Sequence, residues 1–186
     1  MKRKIIPMFM KVFIAIFFSG TPIVYAQLDV PRNSQRASVS QQIGISEISI
    51  QYSRPAVNNR EIWGKLVPYG MNNLGFGTAT SSPWRAGADE NTIIEFGHDV
   101  KIEGKELAAG KYGLHMVIEE NGKATIIFSK NHTAWGSYFY EPSEDALQVE
   151  VDTKTIPHTE FLTYVFTDLS STGATVALDW AKKQIP

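Results

Sequence analysis

Residues 112–128 read YGLHMVIEENGKATIIF. Tyr112, Leu114, Met116 and Ile118 fall on alternate positions, so in an extended chain they share one face. Thr125–Phe128 is rich in the β-branched and aromatic residues that suit a pleated surface. Between the two runs stands Asn121-Gly122, the dipeptide that best tolerates positive φ at both central positions of a tight turn. The stretch therefore predicts an antiparallel hairpin with one apolar face.

The same period runs outward in both directions. Ile48, Ile50 and Tyr52 alternate with Ser49, Gln51 and Ser53, and Thr92, Ile94 and Phe96 with Ile93 and Glu95. Leu147, Val149 and Val151 alternate with polar Gln148, Glu150 and Asp152, and Val176, Leu178 and Trp180 with Thr175, Ala177 and Asp179. Gly104-Lys105 and Ser171-Thr172-Gly173 supply turn chemistry between runs. Apolar residues almost nowhere keep helical spacing for three turns. The expectation is an all-β, single-domain antiparallel two-sheet sandwich, jelly-roll-like or barrel-like, of about nine or ten strands. Helix is limited to short turns near 61–66 or 141–146.

The N-terminus has a different character. Lys2, Arg3 and Lys4 precede an apolar run that is uninterrupted from Val12 to Phe18, Gly20 and Pro22 break it, and Val24-Tyr25-Ala26 offers small or apolar residues to a signal peptidase. Residues 1–26 thus read as a secretory signal peptide cleaved before Gln27. A spanning helix needs about 20 apolar residues, and Pro7 and Lys11 interrupt this run, so no stable membrane insertion is expected after cleavage. Export places the domain in a periplasmic or extracellular setting. With no cysteine in the chain, stability there must come from core packing rather than disulfides. The leader holds four basic residues and no acidic one, so the remaining chain carries 14 basic against 19 acidic side chains, a net charge of −5. That balance lacks the basic patch of a nucleic-acid binder. Residues 27–36 read as a flexible lead-in and 37–186 as the domain.

One segment, 53–91, departs from the alternation. It concentrates Arg54, Arg60, Trp63, Tyr69, Trp84, Arg85, Asp89 and Glu90, and long irregular connections in compact domains often carry function. Within it Met71–Pro83 (MNNLGFGTATSSP) is rich in Gly, Ser, Thr and Asn.

Six short motifs stand in order: Ala37–Gly44 (ASVSQQIG), Tyr52–Pro55 (YSRP), Val67–Gly70 (VPYG), Trp84–Glu90 (WRAGADE), Ala109–Gly113 (AGKYG) and Trp135-Gly136. As an ordered set over about residues 36–182 they resemble the bacterial family called domain of unknown function 2911. The resemblance implies an exported β-sheet domain without an established activity. It also marks Met71–Pro83 as an insertion, because members run almost directly from the Pro-Tyr-Gly segment into the Trp-Arg segment.

Sites for chemistry are few. The chain has no Gly-x-Ser-x-Gly elbow, no His-Glu-x-x-His, no phosphate loop and no thiol nucleophile. His98, His115, His132 and His158 never pair at i, i+2 or i, i+4, so neither a metal nor a cofactor is expected. Arg54, Arg60 and Arg85 present planar donor forks suited to carboxylates and phosphates. They serve either as an anion site or as clamps, with Arg85 paired to Asp89 or Glu90. His115 lies mid-strand, opposite the Leu114 and Met116 face and beside Gly113, which leaves room for an approach. Trp135, with Tyr138, Phe139 and Tyr140, fills core or stacks on sugar rings. The candidate ligand-binding residues are Arg54, Arg60, Trp84, Arg85, Asp89, Glu90, His115 and Trp135. The leading reading is a non-catalytic module that binds a small anionic ligand or an envelope protein. The alternatives are a hydrolase using Glu90 or Asp89 with His115, and a structural subunit of an envelope assembly.

Overall fold

Residues 110–118 and 123–129 pair antiparallel, with Leu114 opposite Phe128 and Met116 opposite Ile126. Their turn differs from the expectation. Gly122 alone adopts positive φ (90°), its N–H reaches Glu119 O at 3.3 Å, and Glu119 N–H bonds Lys123 O at 2.9 Å. This is a type I turn closed by a left-handed glycine. Asn121 contributes through its side chain, whose Oδ1 accepts from Lys123 N–H at 3.0 Å. The mirror-image turn with two positive φ values occurs instead at Glu103-Gly104 (48° and 77°).

The computed structural model describes residues 30–186, and residues 31–186 form one compact unit. The signal peptide read at 1–26 lies outside the described residues. Ten strands occur among them: β1 (Gln35–Ile43), β2 (Ser46–Arg54), β3 (Thr92–Phe96), β4 (Val100–Ile102), β5 (Lys105–Leu107), β6 (Gly110–Ile118), β7 (Lys123–Ser129), β8 (Asp145–Asp152), β9 (Lys154–Thr167) and β10 (Thr175–Ile185). Helix is confined to one 3-10 turn, Pro142–Glu144. The 61–66 stretch is a loop closed by Val67 N–H to Ile62 O and Gly64 N–H to Val67 O, both 2.8 Å. Gln35 and Arg36, read from sequence as lead-in, already belong to the first strand.

Six strands make one antiparallel sheet in the order β1-β2-β3-β6-β7-β8; β9 and β10 form a second sheet, and β4 and β5 a separate hairpin. The alternating residues meet between the two main sheets. Ile48, Ile50, Ile94, Leu114, Met116, Ile126 and Phe128 from one share a core with Leu162, Tyr164, Leu178 and Trp180 from the other. The result is a sandwich with unclosed sheets. Tyr52 and Tyr164 meet edge to face at 4.8 Å, and the Tyr52 hydroxyl accepts from Tyr164 N–H at 3.2 Å.

The two sheets are joined by the chain that leaves β2. Val57 N–H bonds Glu160 O at 2.8 Å, and Leu162 N–H bonds Pro55 O at 3.0 Å, so residues 55–57 run alongside β9. Opposite this contact the β9–β10 register slips between Asp179↔Thr163 and Ala181↔Thr159. Trp180 stands in the slip, directed into the core beneath the irregular segment.

β6 is buried on both faces. Its outer face joins Val117 to Ile127 and Tyr140 in a second, small core. This face is covered rather than solvated because Met71–Pro83 and the 131–141 loop lie over it. Phe76 meets Tyr138 and Phe139 edge to face at 5.5 and 6.1 Å, Ala79 packs on the small core, and Ala79 N–H bonds Tyr138 O at 3.1 Å.

Candidate functional site

The irregular segment is tied down at a few points. Trp84 and Met116 exchange both backbone hydrogen bonds at 2.8 Å, so Trp84 extends the sheet along β6 where β3 has ended. Gly70 N–H bonds Ile118 O at 2.8 Å, two residues further along β6. Three indoles lock the segment to β10: Trp84 stacks on Trp180 (6.0 Å, 15°), and Trp63 meets both edge to face at 5.8 and 5.9 Å. Such pairs add about 0.5–1.5 kcal/mol each beyond their burial. After Trp84 the chain turns back sharply. Ala86, fully buried at a φ of 51°, is held there because its carbonyl accepts from Thr92 Oγ1 (3.1 Å) and the Tyr164 hydroxyl (2.8 Å).

Among the described residues the three arginines make no ion pair with a carboxylate. Arg54 donates from Nε to Leu162 O (2.9 Å) and from Nη2 to Thr163 Oγ1 (2.6 Å), stapling the corner between the sheets. Arg60 donates to Val57 O (3.1 Å) and Ala56 O (2.5 Å). Arg85 donates Nη1 to the backbone carbonyl of Asp89 at 2.8 Å, not to a carboxylate. Its guanidinium lies 4.8 Å from the centre of the Tyr138 ring, and a Cβ at Gly136 would come within 2.7 Å of it, so a larger residue there would have to displace the guanidinium. Glu90 pairs instead with Arg32 (2.7 Å) and Arg36 (3.0 Å). Burial works to raise the Glu90 pKa, but the Arg32 bonds, its own backbone N–H and Arg36 outweigh it and bring it down to about 2.

A cavity of about 610 Å³ opens between the segment and β10. Arg60, Trp84, Arg85, Asp89 and Trp180 line it, together with Ser82, whose buried Oγ has no hydrogen-bond partner among the described residues. Arg54, Glu90, His115 and Trp135, expected at the same site, do not. Trp135 is 52% exposed. His115, 2% exposed, is held on the covered outer face with Nδ1 2.9 Å from Ser137 Oγ and its ring 5.7 Å from that of Tyr140. Burial, reinforced by the Arg85 charge, lowers its pKa to about 4, so its imidazole is neutral near pH 7. Among the described residues no group of three or more His, Asp or Glu side chains is placed to hold a metal ion.

Sequence reasoning missed Trp180 and Ser82 as cavity residues. Alternation on β10 placed Trp180 in the core, but its meeting with Trp84 depends on the register slip, which has no signature in the residue order. Chemically the cavity offers guanidinium donors beside flat indole surfaces. No curated protein and no solved structure matches the chain. The family model described as "Protein of unknown function (DUF2911)" matches residues 34–186, nearly the whole of the sandwich, and the chain belongs to that family.

Proposed function

We propose that this protein is a non-catalytic binding module whose cavity takes a small anionic molecule with a planar apolar part. The observation that carries this reading is Arg85. It lines the cavity with one of its five N–H donors engaged by a protein acceptor, and among the described residues no carboxylate pairs with it, Asp89 of the same cavity included. The indoles of Trp84 and Trp180 supply a flat apolar wall beside it. Sites of this kind fix orientation with a few polar groups and gain affinity from apolar burial. Export by the N-terminal leader is part of the same proposal, with the ligand met outside the cytoplasm.

The test is titration calorimetry of the protein against aromatic and aliphatic carboxylates and phosphates, repeated with Arg85→Ala. A hydrogen bond to a charged group contributes about 1.5–3 kcal/mol, so the variant should bind the preferred anion roughly 10- to 150-fold more weakly. Its melting temperature should hardly change. If no anion binds the wild type and Arg85→Ala melts far lower, Arg85 is a clamp and the proposal fails. Intact mass of exported protein tests the leader, with residues 1–26 expected to be gone.

A further inference from the structure

A second cavity, of about 590 Å³, lies between the two main sheets and shares no lining residue with the first. Packed protein interiors leave few gaps larger than a water molecule, whereas sites for small ligands run to roughly 300–1,000 Å³. This space therefore has the dimensions of a binding site within the sandwich.

Its shape follows from the strands that line it. Each of the six strands of the large sheet contributes: Ile43 from β1, Ile48 from β2, Ile94 from β3, Leu114 from β6, Ile126 from β7 and Val149 from β8. Five strand spacings of about 4.8 Å amount to roughly 24 Å, so the cavity runs across the full width of the sheet. The passage is thus much longer than one strand spacing, and an extended alkyl chain can follow it from strand to strand.

Its polarity is segregated. Apart from Ser46 and Met116, the lining residues from the large sheet are aliphatic or aromatic. Charge is confined to Asp99, Lys101 and Glu103 on the β4–β5 side and to Lys154 at the start of β9. Ser46 adds a buried hydroxyl without a hydrogen-bond partner among the described residues. Tyr164 also lines the space, but its hydroxyl is already satisfied by Ala86 O. An apolar passage with polar groups at its rim fits an amphiphile that inserts its tail and leaves its head outside.

We propose that the space between the sheets binds a linear alkyl chain, such as the acyl tail of a lipid or a fatty acid. The site is independent of the arginine cavity and stands or falls separately from it.

The experiment uses 11-(dansylamino)undecanoic acid as a fluorescent probe of the protein, with displacement by palmitate and, in a parallel arm, by phosphatidylglycerol vesicles. Enhancement saturating at one probe per protein, and reversed by palmitate, is the expected result. Displacement by vesicles as well identifies a phospholipid acyl tail as an accepted source; displacement by palmitate alone restricts the site to the free acid. Ile126→Phe narrows the passage on β7, one strand in from the β8 edge, and should weaken the probe at least tenfold. Arg85→Ala should leave it unchanged. If Ile126→Phe fails to fold by circular dichroism, Val149→Phe makes the same obstruction nearer the sheet edge. The proposal is overturned if the wild type gives no saturable enhancement, or if a folded obstructed variant binds the probe as well as wild type does.

Discussion

Acidification below about pH 6.5 should weaken this fold through His115. The imidazole is 2% exposed and its pKa is lowered to about 4 by burial and by the charge of Arg85, against 6.5 for a free side chain. A histidine with a depressed folded-state pKa contributes its full stability above the unfolded pKa. As pH falls below about 6.5 the unfolded chain takes up a proton that the folded one refuses, and stability declines until about pH 4. A gap of 2.5 units at 1.36 kcal/mol each amounts to about 3 kcal/mol, a large share of the 5–15 kcal/mol of an ordinary domain. The groups facing His115 are Ser137, Tyr140 and Arg85, and none of them is an acid that would stabilise the imidazolium. The assay is urea unfolding followed by circular dichroism at pH 7.5, 6.5, 5.5 and 4.5, for wild type and His115→Gln. His98, His132 and His158 are common to both chains and cancel in the comparison. Between pH 6.5 and 4.5 wild type should lose about 2 kcal/mol more than the variant. Parallel pH profiles would refute the reasoning, because they would mean that the folded protein protonates His115 freely and that its cover does not exclude water.

Two further outcomes follow from the packing. Glu90→Gln should cost about 1 kcal/mol at neutral pH, since Arg32 and Arg36 are well solvated and screening discounts the full shift; in wild type that contribution is present above pH 4.5 and lost as pH falls through about 2, as acid titration of the two chains will show. Gly77→Ala places a Cβ 2.1 Å from Tyr138 O at a φ of 83°, so the insertion must lift; a loss of about 2 kcal/mol and rapid proteolytic cleavage within 71–83 are expected, and an unchanged melt with intact chain would contradict it.

The sandwich was readable where burial is one-sided. Ile48/Ile50/Tyr52 and Thr92/Ile94/Phe96 carry a clean period of two because one face of each strand meets the core. β9 was not singled out. It is the longest strand, yet it is largely exposed over its first half, contains Pro157, and takes its place from pairing with β10 rather than from its own pattern. The arginine-rich segment was recognised as special, and Arg60, Trp84, Arg85 and Asp89 do meet at one cavity. The expected Arg85 pairing with an acidic side chain is corrected to a backbone carbonyl, because Arg32, ahead of β1, and Arg36, within it, occupy Glu90. His115 was correctly placed on the face opposite Leu114, but its surroundings are set by residues 71–83 and 131–141. Contacts between two loops distant in sequence leave no periodic trace in either.

The way Met71–Pro83 is rooted decides where its length can vary. Gly70 and Trp84 are fastened to Ile118 and Met116, neighbours on one strand, and Asn72 and Ser82 bond each other in both directions at 2.9 and 2.8 Å. The stem is therefore closed before the tip begins, and doubling the length of the tip adds only about 0.6 kcal/mol of closure entropy. Residues 73–75 form a tolerant graft site, where the tip can be lengthened while the sheet keeps its register, whereas Phe76, Gly77 and Ala79 are held against Tyr138 and the small core. What such lengthening cannot replace is the cover itself, because without Ala79 the small core of Val117, Ile127 and Tyr140 loses the packing that this segment gives it.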